Sequence, residues 1–264
     1  MKKKLLLIAS FLLMLSSCSS DDNSSNPEEQ LIFPKTISYI YPNSPQDNYK
    51  NIMTYDGNKI ISMDRGNSII KFVYEGNFIV KQLSFNVDSQ GKETKRGERT
   101  YSYTNSKLSN ITRRVNFSEA YPNGEDFLKF DFTHNADGTI SYVAFMLSST
   151  DIDYTGTLIY KDKNLIKRDI DVVSIPDYGH EISIYEYDTK NNPLKNIVGF
   201  DLILQEIVGY GSNNIVKMTR TIKDNPPVDV IKSNYLYNEN NYPTKNNDIA
   251  DVNYIYTRDI EYTY

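Results

Sequence analysis

The feature that most constrains this chain is a recurrence. An alternating run closes on an aromatic residue, a short polar turn follows, and a second extended run begins with an aliphatic side chain. Thr54-Tyr55 leads through Asp56-Gly57-Asn58 into Lys59-Ile60-Ile61, and Val73-Tyr74 leads through Glu75-Gly76-Asn77 into Phe78-Ile79-Val80. The last aromatics before the turns fall at positions 55, 74, 103, 132, 160, 187, 210, 237 and 264, and most of their spacings lie near 27 residues. Two strands of roughly 8 to 10 residues plus two turns fill such a unit. Asp-Gly, Glu-Gly-Asn and Asn-Asn tolerate positive φ, which a tight reversal needs. Flanks such as Tyr185-Glu186-Tyr187 and Tyr101-Ser102-Tyr103 have the period of a half-buried strand. Tyr121-Pro122-Asn123-Gly124, Pro176-Asp177-Tyr178-Gly179 and Asn225-Pro226-Pro227 read as longer connectors. No segment carries a sustained helical stripe with caps.

The expected fold is therefore all-β: a repetitive antiparallel hairpin meander of roughly 17 strands, counted as about eight hairpins and a final strand. So many strands must curl, giving either a closed barrel with a wide lumen or a partly open shell. The 22 tyrosines and 11 phenylalanines suit strands, where a flat ring covers a pleated surface. Rings two residues apart share a face. At least one is expected to be buried in each of the pairs Tyr101/Tyr103, Phe130/Phe132, Tyr185/Tyr187 and Tyr235/Tyr237.

The amino terminus has a different character. Met1-Lys2-Lys3-Lys4 precedes an apolar run from Leu5 to Leu15 and then Ser16-Ser17-Cys18. A basic start, a short apolar run and small residues at a cleavage point make a secretory signal peptide. The run is too short to span a membrane, which takes about 20 apolar residues. Leu15-Ser16-Ser17-Cys18 resembles the bacterial lipobox, which implies cleavage before Cys18 and a lipid on its thiol. An ordinary signal peptide would leave a lone cysteine at the cleavage point unexplained. Residues 19–30 are Ser, Asp, Asn, Pro, Glu and Gln, with nothing to bury. The division expected is a signal peptide over 1–17, a lipidated disordered tether over 18–33 and the β-meander over 34–264. Asp21 and Asp22 resemble the acidic export signal of Bacteroidota surface lipoproteins. Acids also suit any solvated linker, so both faces of the outer membrane stay open.

The formal charge is −5, and loss of Lys2, Lys3 and Lys4 with the leader makes it more negative. No basic block remains to release counterions from nucleic acid. With Cys18 as the only cysteine, lipidation leaves no disulfide and no thiol nucleophile.

The unit of aromatic-x-aromatic, an acidic or Asn turn, then Leu or Ile resembles the YD repeats of bacterial Rhs-type proteins. Tyr185-Glu186-Tyr187-Asp188 followed by Leu194 is the nearest match. The whole layout resembles uncharacterised Bacteroidota lipoproteins, some described as porin-like β-meanders. The resemblance implies architecture and carries no activity and no functional residues.

Candidate chemistry is sparse. Asp151-Ile152-Asp153-Tyr154-Thr155-Gly156 has the spacing of a haloacid-dehalogenase phosphoryl-transfer loop but lacks the α/β context. With Asp162 it also mimics part of a calcium loop, without the closing Glu. His134 and His180 are the only histidines, too few for a zinc site without converging carboxylates. No G-x-S-x-G marks a nucleophilic serine, and Gly209-Tyr210-Gly211 reads as a turn. Tyrosine stripes could stack on glycans, although regular placement also fits a core ladder. The expectation is a cell-envelope lipoprotein with no catalytic residues, metal or cofactor. It would be a binding or structural module, joined to a membrane by its lipid, with a protein or glycan as partner and no nucleic acid. The alternative is a glycan- or small-ligand-binding component of a surface uptake system. An integral outer-membrane barrel sits poorly with 24% charged residues and a mean hydropathy of −0.53.

Overall fold

Each recurring unit folds as its turn chemistry dictates. At Asn105-Ser106 and Asp162-Lys163 both turn residues have positive φ. Such turns match the right-handed twist of the strands they join. The computed structural model describes residues 31–146, 151–175, 179–204, 211–223, 226–227, 229–251 and 256–264. Cys18, Asp21 and Asp22 lie outside the described residues.

Sixteen strands are found among the described residues. They are β1 (Thr36–Ile40), β2 (Tyr49–Asp56), β3 (Lys59–Asp64), β4 (Ser68–Glu75), β5 (Phe78–Val87) and β6 (Glu93–Thr104). Next come β7 (Lys107–Val115), β8 (Glu125–His134), β9 (Ile140–Met146), β10 (Ile152–Lys161) and β11 (Asn164–Val172). The last are β12 (Gly179–Tyr187), β13 (Ile215–Ile222), β14 (Asp229–Tyr237), β15 (Pro243–Asp251) and β16 (Tyr256–Thr263). Every strand pairs antiparallel with its sequence neighbours, and β1 pairs with β16 to close the barrel. The only helical pieces described are two short 3-10 turns, Pro45–Asp47 and Phe200–Leu202.

The difference from 17 strands has a definite cause. The recurrences at Tyr187 and Tyr210 do not form two hairpins. Tyr187 pairs directly with Ile215, and the described residues between them, 188–204 and 211–214, form an insertion between β12 and β13. Tyr210 lies outside the described residues. The even number follows from closure, because a ring of purely antiparallel neighbours cannot contain an odd strand.

The recurrence itself is a hydrogen-bonded ladder. In most tight hairpins the register slips by one residue beside the terminal tyrosine, as at Thr54/Tyr55, Val73/Tyr74, Ser102/Tyr103 and Ile159/Tyr160, and the same slip falls at Glu186/Tyr187 where β12 meets β13. The slip leaves an aliphatic residue opposite the ring, and its carbonyl is met by the next unit. Tyr103 donates its hydroxyl to the Ile79 carbonyl at 2.8 Å, Tyr187 to Leu165 at 2.9 Å and Tyr235 to Ile215 at 2.9 Å. The closing Tyr264 donates to Pro243, and Tyr55 donates to Pro34 ahead of β1. His134 takes the tyrosine place in its unit, with Nε2 2.9 Å from the Leu108 carbonyl. A phenol suits this position because its ring is buried while its hydroxyl satisfies a backbone acceptor. Burial raises the phenol pKa of each ladder tyrosine, and Tyr74 is pushed up to about 12.

Both members of each aromatic pair face the lumen. Tyr101, Phe130 and Phe132 are buried, while Tyr103, Tyr185, Tyr187, Tyr235 and Tyr237 are half-buried. The apolar core occupies the lumen near the tight turns and includes Ile60, Ile79, Leu108, Ile111 and Leu158. Gly156 lies beneath the Tyr142 ring, where a Cβ would collide.

Candidate functional site

The insertion after β12 fills the turn end of the barrel. Ile197, Phe200 and Ile203 are at most 2% exposed and belong to the barrel core. The Phe200 ring lies 5.8 Å from that of Phe72 on β4. Val198 donates its N–H to the Asn58 carbonyl in the β2–β3 turn and accepts from the Tyr74 hydroxyl. Gly199 has φ +83°, and a Cβ there would stand 2.9 Å from the Asn77 carbonyl oxygen, so the contact requires glycine. Asn196 donates to the Ile32 carbonyl and to the Tyr242 hydroxyl. Asn191 donates to the Asn240 carbonyl in the β14–β15 turn. The insertion is thereby tied to the turns on several sides and to the segment before β1.

On the loop side of this plug lies a chamber of about 330 Å³. Its floor includes Asn192, Pro193, Leu194 and Asn214 from the insertion. Its walls carry tyrosines 39, 49, 185, 235 and 262 beside a polar cluster from β14, β15 and β16. Asp248 is 3% exposed and accepts from Arg258 Nε at 3.1 Å and Nη2 at 2.5 Å, from Asn246 Nδ2 at 2.8 Å and from the Ser233 hydroxyl. Tyr262 donates to Asn246 Oδ1 at 3.0 Å. A carboxylate taken this far from water is tolerable only with such partners. The Arg258 guanidinium sits 5.5 Å from the centre of the Tyr39 ring, which stacks on Tyr49 at 4.5 Å. Arg65 covers the Tyr49 ring at 4.5 Å and donates to Asn51. Desolvation raises the Tyr39 and Tyr262 phenols above their usual pKa and pushes Tyr49 up to about 12, so all three are neutral donors at physiological pH. Aromatic faces, neutral hydroxyls and a fixed ion pair can hold a small polar ligand with ring-like apolar faces.

The residues singled out in the sequence fall elsewhere. Asp151 precedes β10, and Ile152–Lys161 is a strand of the barrel wall, with the Tyr154 ring 6.2 Å from that of Tyr142. The stretch is neither a phosphoryl-transfer loop nor a calcium loop. His134, at the end of β8, bonds the Leu108 carbonyl of β7, while His180 on β12 lies between Asp169 and Asp171 on the other face of the wall. The two histidines do not converge. Among the described residues, no group of three or more His, Cys, Asp or Glu is placed to hold a metal ion. Asp248, Arg258 and Asn246 were not singled out by the sequence; Arg258 lies two residues before the buried Ile260 on β16, and Asn246 and Asp248 stand opposite Ile260 and Arg258 in the register, which puts all three on the inward face.

No protein-family model matches the chain, and no curated protein sequence matches it. The fold is similar to that of a porin-like protein from Bacteroides vulgatus ATCC 8482. The TM-score is 0.57 at 12% identity, over 89% of this chain and 99% of that one. A porin-like protein from Bacteroides uniformis ATCC 8492 aligns with a TM-score of 0.49 at 10% identity, over 87% of this chain and 97% of that one. This chain thus has the fold of a porin-like β-barrel.

Proposed function

We propose that this protein is a non-enzymatic binding barrel of the cell envelope, held at the outer membrane by a lipid on Cys18, which takes a small ligand into its lumen. The observation that carries this reading is the tyrosine-walled chamber above the plug, with its Asp248–Arg258 pair. Barrels with filled ends commonly hold ligands inside. The lipobox-like Leu15-Ser16-Ser17-Cys18 and the acidic Asp21-Asp22 support the anchor and the surface assignment. The YD-like character of the repeat adds a relation of architecture only.

The porin-like fold favours a second reading, a barrel embedded in the membrane. The outward face argues for water instead. Ion pairs stand on it: Lys71–Glu93, Lys129–Asp131, Lys167–Asp169 and Lys217–Glu186, with Lys71, Lys129 and Lys167 in mid-strand. A lipid-facing Lys costs about 2–4 kcal/mol at the bilayer midplane. Residues 31–264 should therefore stay monodisperse without detergent, and Cys18→Ala should release the full protein from membranes. The chain has no Trp to mask tyrosine fluorescence, and five of its 22 tyrosines line the chamber. Saturable quenching by a saccharide panel, reduced by Tyr262→Ala and not by Lys71→Ala, supports the reading. Absence of any saturable signal opposes it.

A further inference from the structure

The five tyrosines that line the chamber differ in what they have left to offer. Tyr235 gives its hydroxyl to the Ile215 carbonyl, and Tyr262 gives its own to Asn246 Oδ1. Tyr39 and Tyr49 spend their faces on each other, at 4.5 Å, and on the guanidiniums of Arg258 and Arg65. Among the described residues, neither of these two hydroxyls has a hydrogen-bond partner. Tyr185 is different again. Among the described residues its hydroxyl makes no hydrogen bond, its ring meets no other ring and no cation, and it does not pack against the apolar core. A half-buried ring with neither a polar nor a stacking partner is an idle contact surface inside the barrel.

The wall around this ring is apolar. Met218 stands opposite Tyr185 on β13, Ile231 stands opposite Met218 on β14, and all three line the chamber. Pro193 and Leu194 add apolar surface from the floor. Tyr185 also borders a second cavity, of about 460 Å³, together with Ile166 and Tyr187. The charged residues that line the chamber are Asp248 and Arg258, and they are bonded to each other. Both oxygens of the carboxylate are used: Oδ2 accepts from Arg258, and Oδ1 accepts from Asn246 and Ser233. Asp188 of the insertion lies outside the lining and accepts from the Tyr237 hydroxyl and the Asn214 side chain. A charged ligand entering the chamber gives up its water and meets an ion pair that is already complete, so its desolvation goes uncompensated. An uncharged ring gives up far less.

We infer that the chamber takes an uncharged sugar ring, with the apolar C–H face of the ring on Tyr185 and its hydroxyls on the phenols of Tyr39 and Tyr49. The inference rests on the binding-barrel reading and names both its ligand class and the residue that receives the ring. A pyranose has a face of C–H groups and a rim of hydroxyls. It matches a chamber with an apolar wall on β12 to β14 and neutral hydroxyls on β1 and β2. The Asp248–Arg258 pair acts through a neighbour: it holds the Arg258 guanidinium 5.5 Å from the Tyr39 ring and so positions that tyrosine.

The test uses the full-length protein in neutral detergent. The wild type is titrated calorimetrically with maltose, cellobiose and galactobiose, and with digalacturonate as the acidic counterpart. At least one neutral disaccharide should bind saturably and at least about tenfold more tightly than digalacturonate, with an affinity that salt leaves unchanged. Because the chain has no Trp, Tyr185→Trp places a single reporter on the platform. Its emission should move to shorter wavelength and saturate with the same sugar, while Tyr121→Trp, on an exposed connector, stays silent. Tyr185→Ala should weaken binding about tenfold, and Tyr185→Phe, which keeps the face, should bind almost as the wild type does. The wild-type titrations and the Trp reporter stand even if the alanine variant fails to fold. With wild-type binding intact, an unshifted reporter or an unweakened alanine variant overturns the role of Tyr185 and leaves the binding barrel standing. Digalacturonate binding as tightly as the best neutral sugar overturns the uncharged class and likewise leaves the barrel. Binding of none of the four removes the inference together with the binding reading.

Discussion

The two ends of the lumen are built from the same strands and serve different purposes. At the turn end, Ile60, Ile79, Leu108, Phe72 and Phe200 pack into an apolar core closed by the insertion between β12 and β13. Toward the other end, the same inward positions carry Arg99, Arg113, Glu181, Asp248 and Asn246. A wide barrel cannot fill its own interior with wall side chains alone. This one solves the problem at one end by inserting a segment of chain, and leaves the other end polar. Stability is concentrated where water is excluded, and the proposed binding falls where polar groups remain in reach of solvent.

The sharpest way to break this comparison is to remove matched side chains from the two ends. Phe200→Ala should cost about 3–5 kcal/mol, because the ring is fully buried against Phe72 and the plug cannot collapse around the hole. Urea unfolding measures it. Tyr49→Ala, beside the chamber, should cost well under half as much. Equal losses would mean that the chamber, too, is structural core.

Alkali should act next in order of size. Burial raises the ladder phenols, Tyr74 to about 12, so the folded state keeps them neutral when the unfolded chain ionises near 10. Their stabilisation is complete below pH 10 and is lost as pH rises toward 12. Thermal unfolding followed at pH 8 to 12 should show a melting point that holds and then drops, with tyrosinate absorbance appearing together with unfolding. Tyrosinate absorbance at pH 10 that is as large in the folded barrel as in the urea-unfolded chain would contradict the ladder.

A smaller effect isolates one rung. Tyr103→Phe keeps the ring and leaves the Ile79 carbonyl without its donor, which should cost about 1 kcal/mol. The outward ion pairs set the lower limit. Lys71→Ala, which breaks the exposed pair with Glu93, should change stability by no more than about 0.5 kcal/mol.

Much of the turn end was legible in the sequence. The aromatic spacing, the Asn and Gly turns and the aliphatic residue after each turn correspond to the ladder and its acceptors. The insertion was not legible as such, because Leu194 and Tyr210 imitate the repeat. Two signals stand against that imitation: the Tyr187–Tyr210 spacing of 23 is shorter than the units around it, and Pro193 falls where a paired strand would need its N–H. The loop end was harder. A polar residue at an inward position looks like a surface residue until the strand phase is fixed, and phase came only from the one-residue slip beside each tyrosine. Once that slip is placed, Arg99 two before Tyr101 and Arg258 two before Ile260 are in phase with the core.

The central claim is that residues 188–204 and 211–214 are a structural plug and the chamber end is the responsive part of the barrel. Native-state hydrogen exchange, resolved by peptide, tests this most directly. The account predicts that peptides spanning Asn196–Leu204 exchange only with global unfolding, as slowly as those of β4 and β5. It also predicts that a saccharide that quenches the chamber tyrosines slows exchange in the strands that line the chamber, β1, β2 and β12 to β16, and not in β4 and β5. A plug peptide that exchanges as fast as the loop at 41–48 while the strands stay protected would contradict it.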